Sequence, residues 1–251
     1  MNGKNDRAAW LKSEGAVCSN PPLRAPAKAW RLILLGAPGV GKGTQAELLH
    51  ERLVACHLST GDVFRAARNL CESDLSPTMH RALDFMRRGE LVPDQTVLDM
   101  VSERVGCLHC CGGFLLDGFP RTVAQAVALE ELLKREDVSL TAVLNYELPL
   151  EEIASRISGR RTCSNCKAVY HIASRPPRVE EICDHCGGKL FQREDDRLES
   201  VRVRLAAYEK NTRPLIQFYQ ERGLLVPIIA GGTPEETFGR TLVALDGVLT
   251  Y

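Results

Sequence analysis

Apolar residues gather in short continuous runs at Trp30–Leu35, Phe114–Asp117, Ala142–Leu148 and Leu224–Ile229, with a fifth candidate at Ala55–Leu58. Between them the apolar positions recur at helical spacing: over 44–54, 61–67, 77–88, 94–105, 122–134 and 150–157, and in one long stretch from Arg197 to about Glu221. Strands that alternate with helices predict a parallel sheet covered on both faces, an α/β fold. Pro214 lacks a backbone N–H and is expected to interrupt the long helix. A last helix is announced by its start: Thr233 as N-cap, Pro234 in the first turn and Glu236 three residues after the cap. One segment breaks the alternation. Residues 159–196 carry paired cysteines, Pro176-Pro177 and Gly187-Gly188 without long periodicity, so they read as an inserted mini-domain. No internal repeat is evident.

A chain of 251 residues can bury a full core. Its formal net charge is zero with the charges evenly mixed. That balance gives no field for nucleic acid or a membrane surface, and no apolar run approaches the ~20 residues of a membrane span. The first 28 residues have no apolar h-region and contain Pro21, Pro22 and Pro26. They read as a disordered extension or a tag rather than a secretory signal, with a transit peptide the weaker option because Asp6 and Glu14 intrude. A cytoplasmic monomer is the expectation.

The chemistry is concentrated between the first strand and the first helix, in Gly36-Ala37-Pro38-Gly39-Val40-Gly41-Lys42-Gly43-Thr44. Glycines let successive N–H groups turn toward one anion, the helix N-terminus adds its partial positive charge, and Lys42 brings a full charge for β/γ-phosphates. The usual pattern has Ser or Thr directly after the lysine; here Gly43 intervenes before Thr44, which points away from switch GTPases. Asp117 ends a predicted strand beside this loop, where an acidic residue holds magnesium through waters. Arg121 follows Asp117-Gly118-Phe119-Pro120, and Arg65 lies one turn into a helix opened by Ser59-Thr60-Gly61-Asp62. In open parallel sheets ligands bind at this edge. Further arginines stand at Arg156, Arg160, Arg161, Arg193, Arg202 and Arg204. Phosphoryl transfer needs several such charges together, because catalysis there is positioning plus neutralisation.

Of ten cysteines, Cys163-x2-Cys166 and Cys183-x2-Cys186, sixteen residues apart, form a four-thiolate zinc pattern. Four thiolates close the tetrahedron, so this ion is expected to be structural. Cys107, Cys110 and Cys111 with His109 form a second cluster, read as crowding at a loop tip with a second metal site as the alternative.

Taken in order, these stretches resemble the adenylate kinases, from about Arg31 to the C-terminus. The resemblance rests on 36–44, on Ser59-Thr-Gly-Asp62 with Arg65, and on Gly89-Glu-Leu-Val-Pro-Asp94. It continues through Gly113–Thr122, Gly159-Arg-Arg161, Asp195-Asp196 and Arg204. It implies a P-loop parallel-sheet core with helices on both faces over 29–251, an AMP-binding helical segment at 59–92 and a long, zinc-carrying LID at 159–196. The implied reaction is reversible phosphoryl transfer from ATP to AMP giving two ADP, with Mg2+ accompanying ATP. Position by position, Gly39, Val40, Gly41, Lys42, Gly43 and Thr44 would hold ATP phosphates. Arg156 and Arg160 would face ATP, with Val169 and Tyr170 near its adenine and the backbone at Pro234 as another contact. Thr60, Arg65, Glu90, Leu91, Val92, Gly118, Phe119, Pro120, Arg121 and Gln125 would hold AMP, Gln125 by reading the adenine edge. Arg193 and Arg204 would clamp the exchanged phosphates, and Lys42, Asp117, Arg121, Arg160, Arg193 and Arg204 would carry catalysis. The 69–79 segment is longer than the compact family form and lacks its Leu-Gly step. Two other readings stand beside this one: a monophosphate kinase using UMP or CMP as acceptor or GTP as donor, and a zinc-ribbon binding protein that uses nucleotide as a switch.

Overall fold

All five apolar runs form strands of one parallel sheet: β1 Trp30–Gly36, β2 Cys56–Ser59, β3 Gly113–Asp117, β4 Ala142–Glu147 and, last in the chain, Leu225–Ile229. Three short strands intervene, β5 Arg160–Cys163, β6 Val169–His171 and β7 Leu190–Phe191, so the last core strand is β8. The computed structural model describes residues 28–67, 75–87, 92–103, 105–193, 196 and 198–248.

The core sheet has the order β2-β3-β1-β4-β8. Alternation along the central strands β1, β3 and β4 divides their side chains between two cores. Ile33 and Leu35 of β1, Phe114 and Leu116 of β3 and Val143 of β4 enter one; Leu32, Leu34, Leu115, Ala142, Leu144 and Tyr146 enter the other. Strands buried on both faces are why these segments read as continuous apolar runs. The first core is closed by α3 (Pro77–Arg87), α4 (Asp94–Ser102), α6 (Val123–Arg135) and α9 (Pro214–Gln220). The second is closed by α1 (Lys42–Leu53), α7 (Leu150–Ser158), α8 (Leu198–Ala207) and α10 (Pro234–Val248).

Two expected helices differ in the structure. The stretch expected over 94–105 stops at Ser102, where the Glu103 N–H closes on the Asp99 carbonyl at 2.9 Å. Val105–Leu108, with the weak helix former Gly106 inside it, makes a separate turn, α5. The long C-terminal helix is broken as Pro214 requires: α8 ends at Ala207, Tyr208–Thr212 widens into a π turn, and Pro214 starts α9. The Arg213 N–H reaches the Tyr208 carbonyl at 2.9 Å. Short helix α2 (Thr60–Ala67) follows β2 directly.

The start of α10 is a reciprocal cap. Glu236 N–H donates to Thr233 Oγ1 at 3.2 Å, and Thr233 N–H donates to Glu236 Oε2 at 2.9 Å. Thr233→Ala removes one half of this box and is expected to cost about 1 kcal/mol of stability, read as a lowered urea midpoint with an unchanged slope.

Residues 159–193 leave the core. There β5 pairs antiparallel with β6 on one side and β7 on the other, around a small separate cluster of Cys163, Tyr170, Cys183 and Leu190. Among the described residues no helix is long and apolar enough to cross a membrane.

Candidate active site

Register places the chemistry. Leu34 of β1 and Ser59 of β2 both lie beside Asp117 of β3, and Gly36 lies beside Tyr146 of β4. The C-terminal ends of β1, β2 and β3 therefore put the Gly-rich loop, Ser59-Thr60 and Asp117-Gly118 at one edge. That is the edge where open parallel sheets bind ligands.

In the loop, Gly41 is the N-cap of α1 with φ 101°, a left-handed conformation that a side chain would strain. A Cβ on Gly39 would come within 2.4 Å of Ile157 Cγ1, so only glycine lets the loop pack on α7. Lys42 Nζ donates to the carbonyls of Gly36 at 2.6 Å and Ala37 at 3.0 Å, which aims the ammonium across the loop. Burial lowers its pKa to about 8; Asp117 opposes that shift, and Arg121, Arg204 and Arg160 add to it. Lys42 thus feels Asp117 and three arginines that come from separate parts of the chain. Gly43 approaches Asp117 closely, a Cβ there lying 3.7 Å from Asp117 Oδ2. Val40 is buried, and Thr44 is half-buried in the first turn of α1.

Asp117 has a neighbour that the sequence reading did not single out. His57 of β2, its side chain 2% exposed, holds Nε2 3.6 Å from Asp117 Oδ2. A histidine inside an apolar strand was the available signal.

The turn after β3 is tied on every side. Thr60 Oγ1 donates to Gly118 O at 3.0 Å, and Arg121 Nε donates to the same carbonyl at 2.7 Å. Phe119 is buried and joined to Pro120 through a cis peptide bond. The π turn reaches in as well, with Thr212 Oγ1 donating to Arg121 O at 3.0 Å. Gln125, in the first turn of α6, accepts from the Arg121 N–H at 2.7 Å and donates through Nε2 to Asp94 Oδ1 at 2.6 Å. Val92 packs against the core. Glu90 and Leu91 lie outside the described residues, as do 68–74 of the longer segment and 1–27 of the extension; Arg65 is described only as a backbone position of α2.

Asp196 organises the arginines. Its side chain is fully buried; it accepts from Arg160 Nε at 2.8 Å and from Arg160 Nη2 on its other oxygen, and Arg204 Nη1 stands 3.8 Å away. Paired, bidentate geometry is what a buried carboxylate needs. Arg193 Nε donates to Thr162 Oγ1 at 2.8 Å across the β5–β7 pair. Arg156 Nη2 donates to Gly232 O at 3.1 Å, and Gln45 Nε2 to Pro234 O at 2.9 Å, so the start of α10 is fastened to α7 and α1.

The four cysteines 163, 166, 183 and 186 converge, with all Sγ atoms within 4.8 Å of one another. Cys163 and Cys186 stand 3.5 Å apart, as do Cys166 and Cys183. A zinc tetrahedron with bonds of ~2.3 Å has edges of about 3.8 Å, so this donor set fits the ion. Both knuckles are built alike: the residue after the second cysteine is left-handed, Lys167 at φ 63° and Gly187 at φ 70°. Burial raises the Cys183 pKa, but the Tyr170 hydroxyl and the N–H groups of His185 and Cys186 lower it further, leaving it at about 6. Burial pushes the neighbouring Cys166 thiol the opposite way, so the cysteines titrate as a group and it is their geometry that fits the metal. Tyr170 is buried in this small core, its hydroxyl 3.5 Å from Cys183 Sγ and accepting from the Asp184 N–H at 2.9 Å; Val169 is half-buried beside it on β6.

Residues 34–224 match the family model of the adenylate kinases. The adenylate kinase of Carboxydothermus hydrogenoformans is 46% identical over 216 residues, 86% of this chain and 99% of that protein. The adenylate kinase of Caldicellulosiruptor bescii is 51% identical over 197 residues, 78% of this chain and 89% of that protein. That of Streptomyces griseus subsp. griseus is 46% identical over 217 residues, 86% and 97% of the two chains.

Proposed function

The chain belongs to the adenylate kinase family, and from that premise we propose that it transfers a phosphoryl group reversibly between ATP and AMP, giving two ADP. The observation that carries the reading is that the strand ends bring the Gly-rich loop with Lys42, Asp117 and Arg121 to one edge of the sheet, with Arg160 and Arg204 gathered on Asp196 and within electrostatic reach of Lys42. Such a cluster neutralises charge as a phosphoryl group moves between two anions, which is most of what this reaction asks of a protein.

In this reading the N–H groups of Gly39–Thr44 cradle the ATP phosphates and Lys42 faces the β/γ bridge. Arg156, Arg160 and the backbone at Pro234 line the donor side, with Val169 and Tyr170 near its adenine. The acceptor side is lined by Thr60, Arg65, Glu90–Val92 and Gly118–Arg121, with Gln125 facing the base. Arg193 and Arg204 approach the phosphates between the two nucleotides. Asp117 would hold, through waters, the Mg2+ that accompanies ATP, and that ion would supply neutralisation of phosphate charge. Cys163, Cys166, Cys183 and Cys186 would hold a zinc ion that organises residues 159–196, the LID. Segments 59–92 and 159–196 are then the two flaps that exclude water, so that AMP rather than water takes the phosphoryl group.

The deciding experiment is ADP formation from ATP with and without AMP, run beside UMP, CMP and a GTP donor. Rapid ADP formation that requires AMP is expected. A slow, acceptor-independent rate would support the nucleotide-switch reading, and faster turnover with UMP or CMP would move the acceptor.

A further inference from the structure

We propose that Asp94 is a specificity-determining residue for the acceptor base and acts by fixing which way round the Gln125 amide stands. The inference rests on the reading that Gln125 faces the base of AMP.

Gln125 is 5% exposed, and both ends of its amide are committed. Nε2 donates to Asp94 Oδ1 at 2.6 Å, and Oε1 accepts from the Arg121 N–H at 2.7 Å. A carboxylate can only accept and a backbone N–H can only donate. Turning the amide over would therefore set oxygen against oxygen at one end and N–H against N–H at the other, in a place with little water to relieve either. The two partners come from different elements, α4 and the turn after β3. Asp94 is itself held, accepting on its other oxygen from Thr122 Oγ1 at 3.1 Å, while Thr122 caps α6 by accepting from the Gln125 N–H at 3.1 Å.

The fixed amide retains one N–H on Nε2 and one lone pair on Oε1 for a ligand. Adenine presents an acceptor at N1 beside a donor amino group at N6, which that pair complements. Hypoxanthine presents the reverse, a donor at N1 beside an acceptor at O6, and would need the amide turned over. Asp94 makes that turn costly, so its carboxylate rejects the 6-oxo base through a contact it never makes with the ligand.

The test is kcat/KM for AMP and for IMP, with ATP as donor, in wild type and in Asp94→Asn. Asparagine can offer either an oxygen or an amino group to Gln125, so it releases the amide at that end and leaves only the Arg121 N–H to hold its orientation. The AMP/IMP ratio is expected to fall at least tenfold, with the IMP value rising in absolute terms. A role confined to stability would lower both values in proportion. Asp94→Ala, which leaves neither orientation of the amide a partner at that end, gives the same test should Asp94→Asn not fold. A folded variant of either kind with the wild-type ratio, or with both values lowered equally, overturns the inference. Wild-type protein that makes no ADP in response to AMP overturns the underlying reading, and it does so before any variant is measured.

Discussion

Lys42→Met is expected to lower AMP-dependent turnover by on the order of 10²-fold or more while leaving the protein folded. The loop's shape is set mainly by its glycines, by α7 packing against Gly39 and by the N-terminus of α1, to which the lysine head group adds two hydrogen bonds. Methionine fills the same stem. What it removes is the only side-chain charge within the loop, held by the Gly36 and Ala37 carbonyls and pointed where phosphate oxygens would gather. Backbone N–H groups can still bind ATP, so the loss should fall on kcat more than on KM. A pH profile supplies a second readout. Burial holds the Lys42 pKa down to about 8, so in free enzyme the ammonium is mostly present at pH 7 and is lost as pH rises through about 8. Wild-type kcat/KM for ATP should decline across that range, and the decline should be absent in Lys42→Met. Near-normal turnover in a variant with a wild-type melting curve would count decisively against the assignment.

How far the sequence carried depended on whether the deciding forces were local. The central strands β1, β3 and β4 were legible because each sends side chains into both cores and is nearly continuous in apolar residues, and the edge strands β2 and β8 because they still carry short apolar runs. The start of α10 was legible because its cap is a contact between residues three apart, and the break at Pro214 because a missing N–H is a property of one residue. The end of α4 was less so, since nothing in the apolar spacing separates Ser102 from the turn at Val105–Leu108. The Gly-rich loop and the cysteine knuckles were read directly, being short motifs with fixed spacing. The residues that organise the site were not. Asp196 reaches Arg160 over 36 positions, Asp94 reaches Gln125 over 31, and Thr212 reaches Arg121 over 91. Each is an ordinary polar residue until the fold brings its partner to it. Asp195-Asp196 entered only through the family resemblance, which supplied no role for either residue.

Removing two of the four cysteines, in Cys183→Ser with Cys186→Ser, is expected to abolish zinc binding and unfold most of residues 163–191 without melting the core sheet. Wild-type protein purified without chelator should carry one zinc per chain by atomic emission, and the variant none. The expectation follows from how little else holds this segment together. Its own core is Cys163, Tyr170, Cys183 and Leu190, so two of its four buried members are proposed metal ligands and a third bonds one of those ligands. A structural zinc site contributes on the order of 10 kcal/mol to folding of the segment it closes, far more than so small an apolar cluster supplies. The five-stranded sheet is sustained by its own two cores, to which no cysteine of the site belongs. Hydrogen exchange should therefore accelerate strongly over β5, β6 and β7 and stay near wild-type rates over β1, β3 and β4. Activity should fall because Arg160 and Arg193 ride on β5 and just beyond β7, where Asp196 and Thr162 hold them. That loss is one of order, so lowering the temperature or adding a bisubstrate mimic of two phosphate-linked adenosines should recover part of it. Four thiolates leave the ion no open position from which to polarise water or phosphate. A variant that keeps wild-type exchange over 163–191 yet has no phosphotransfer would overturn this account and give the metal a direct part in the chemistry.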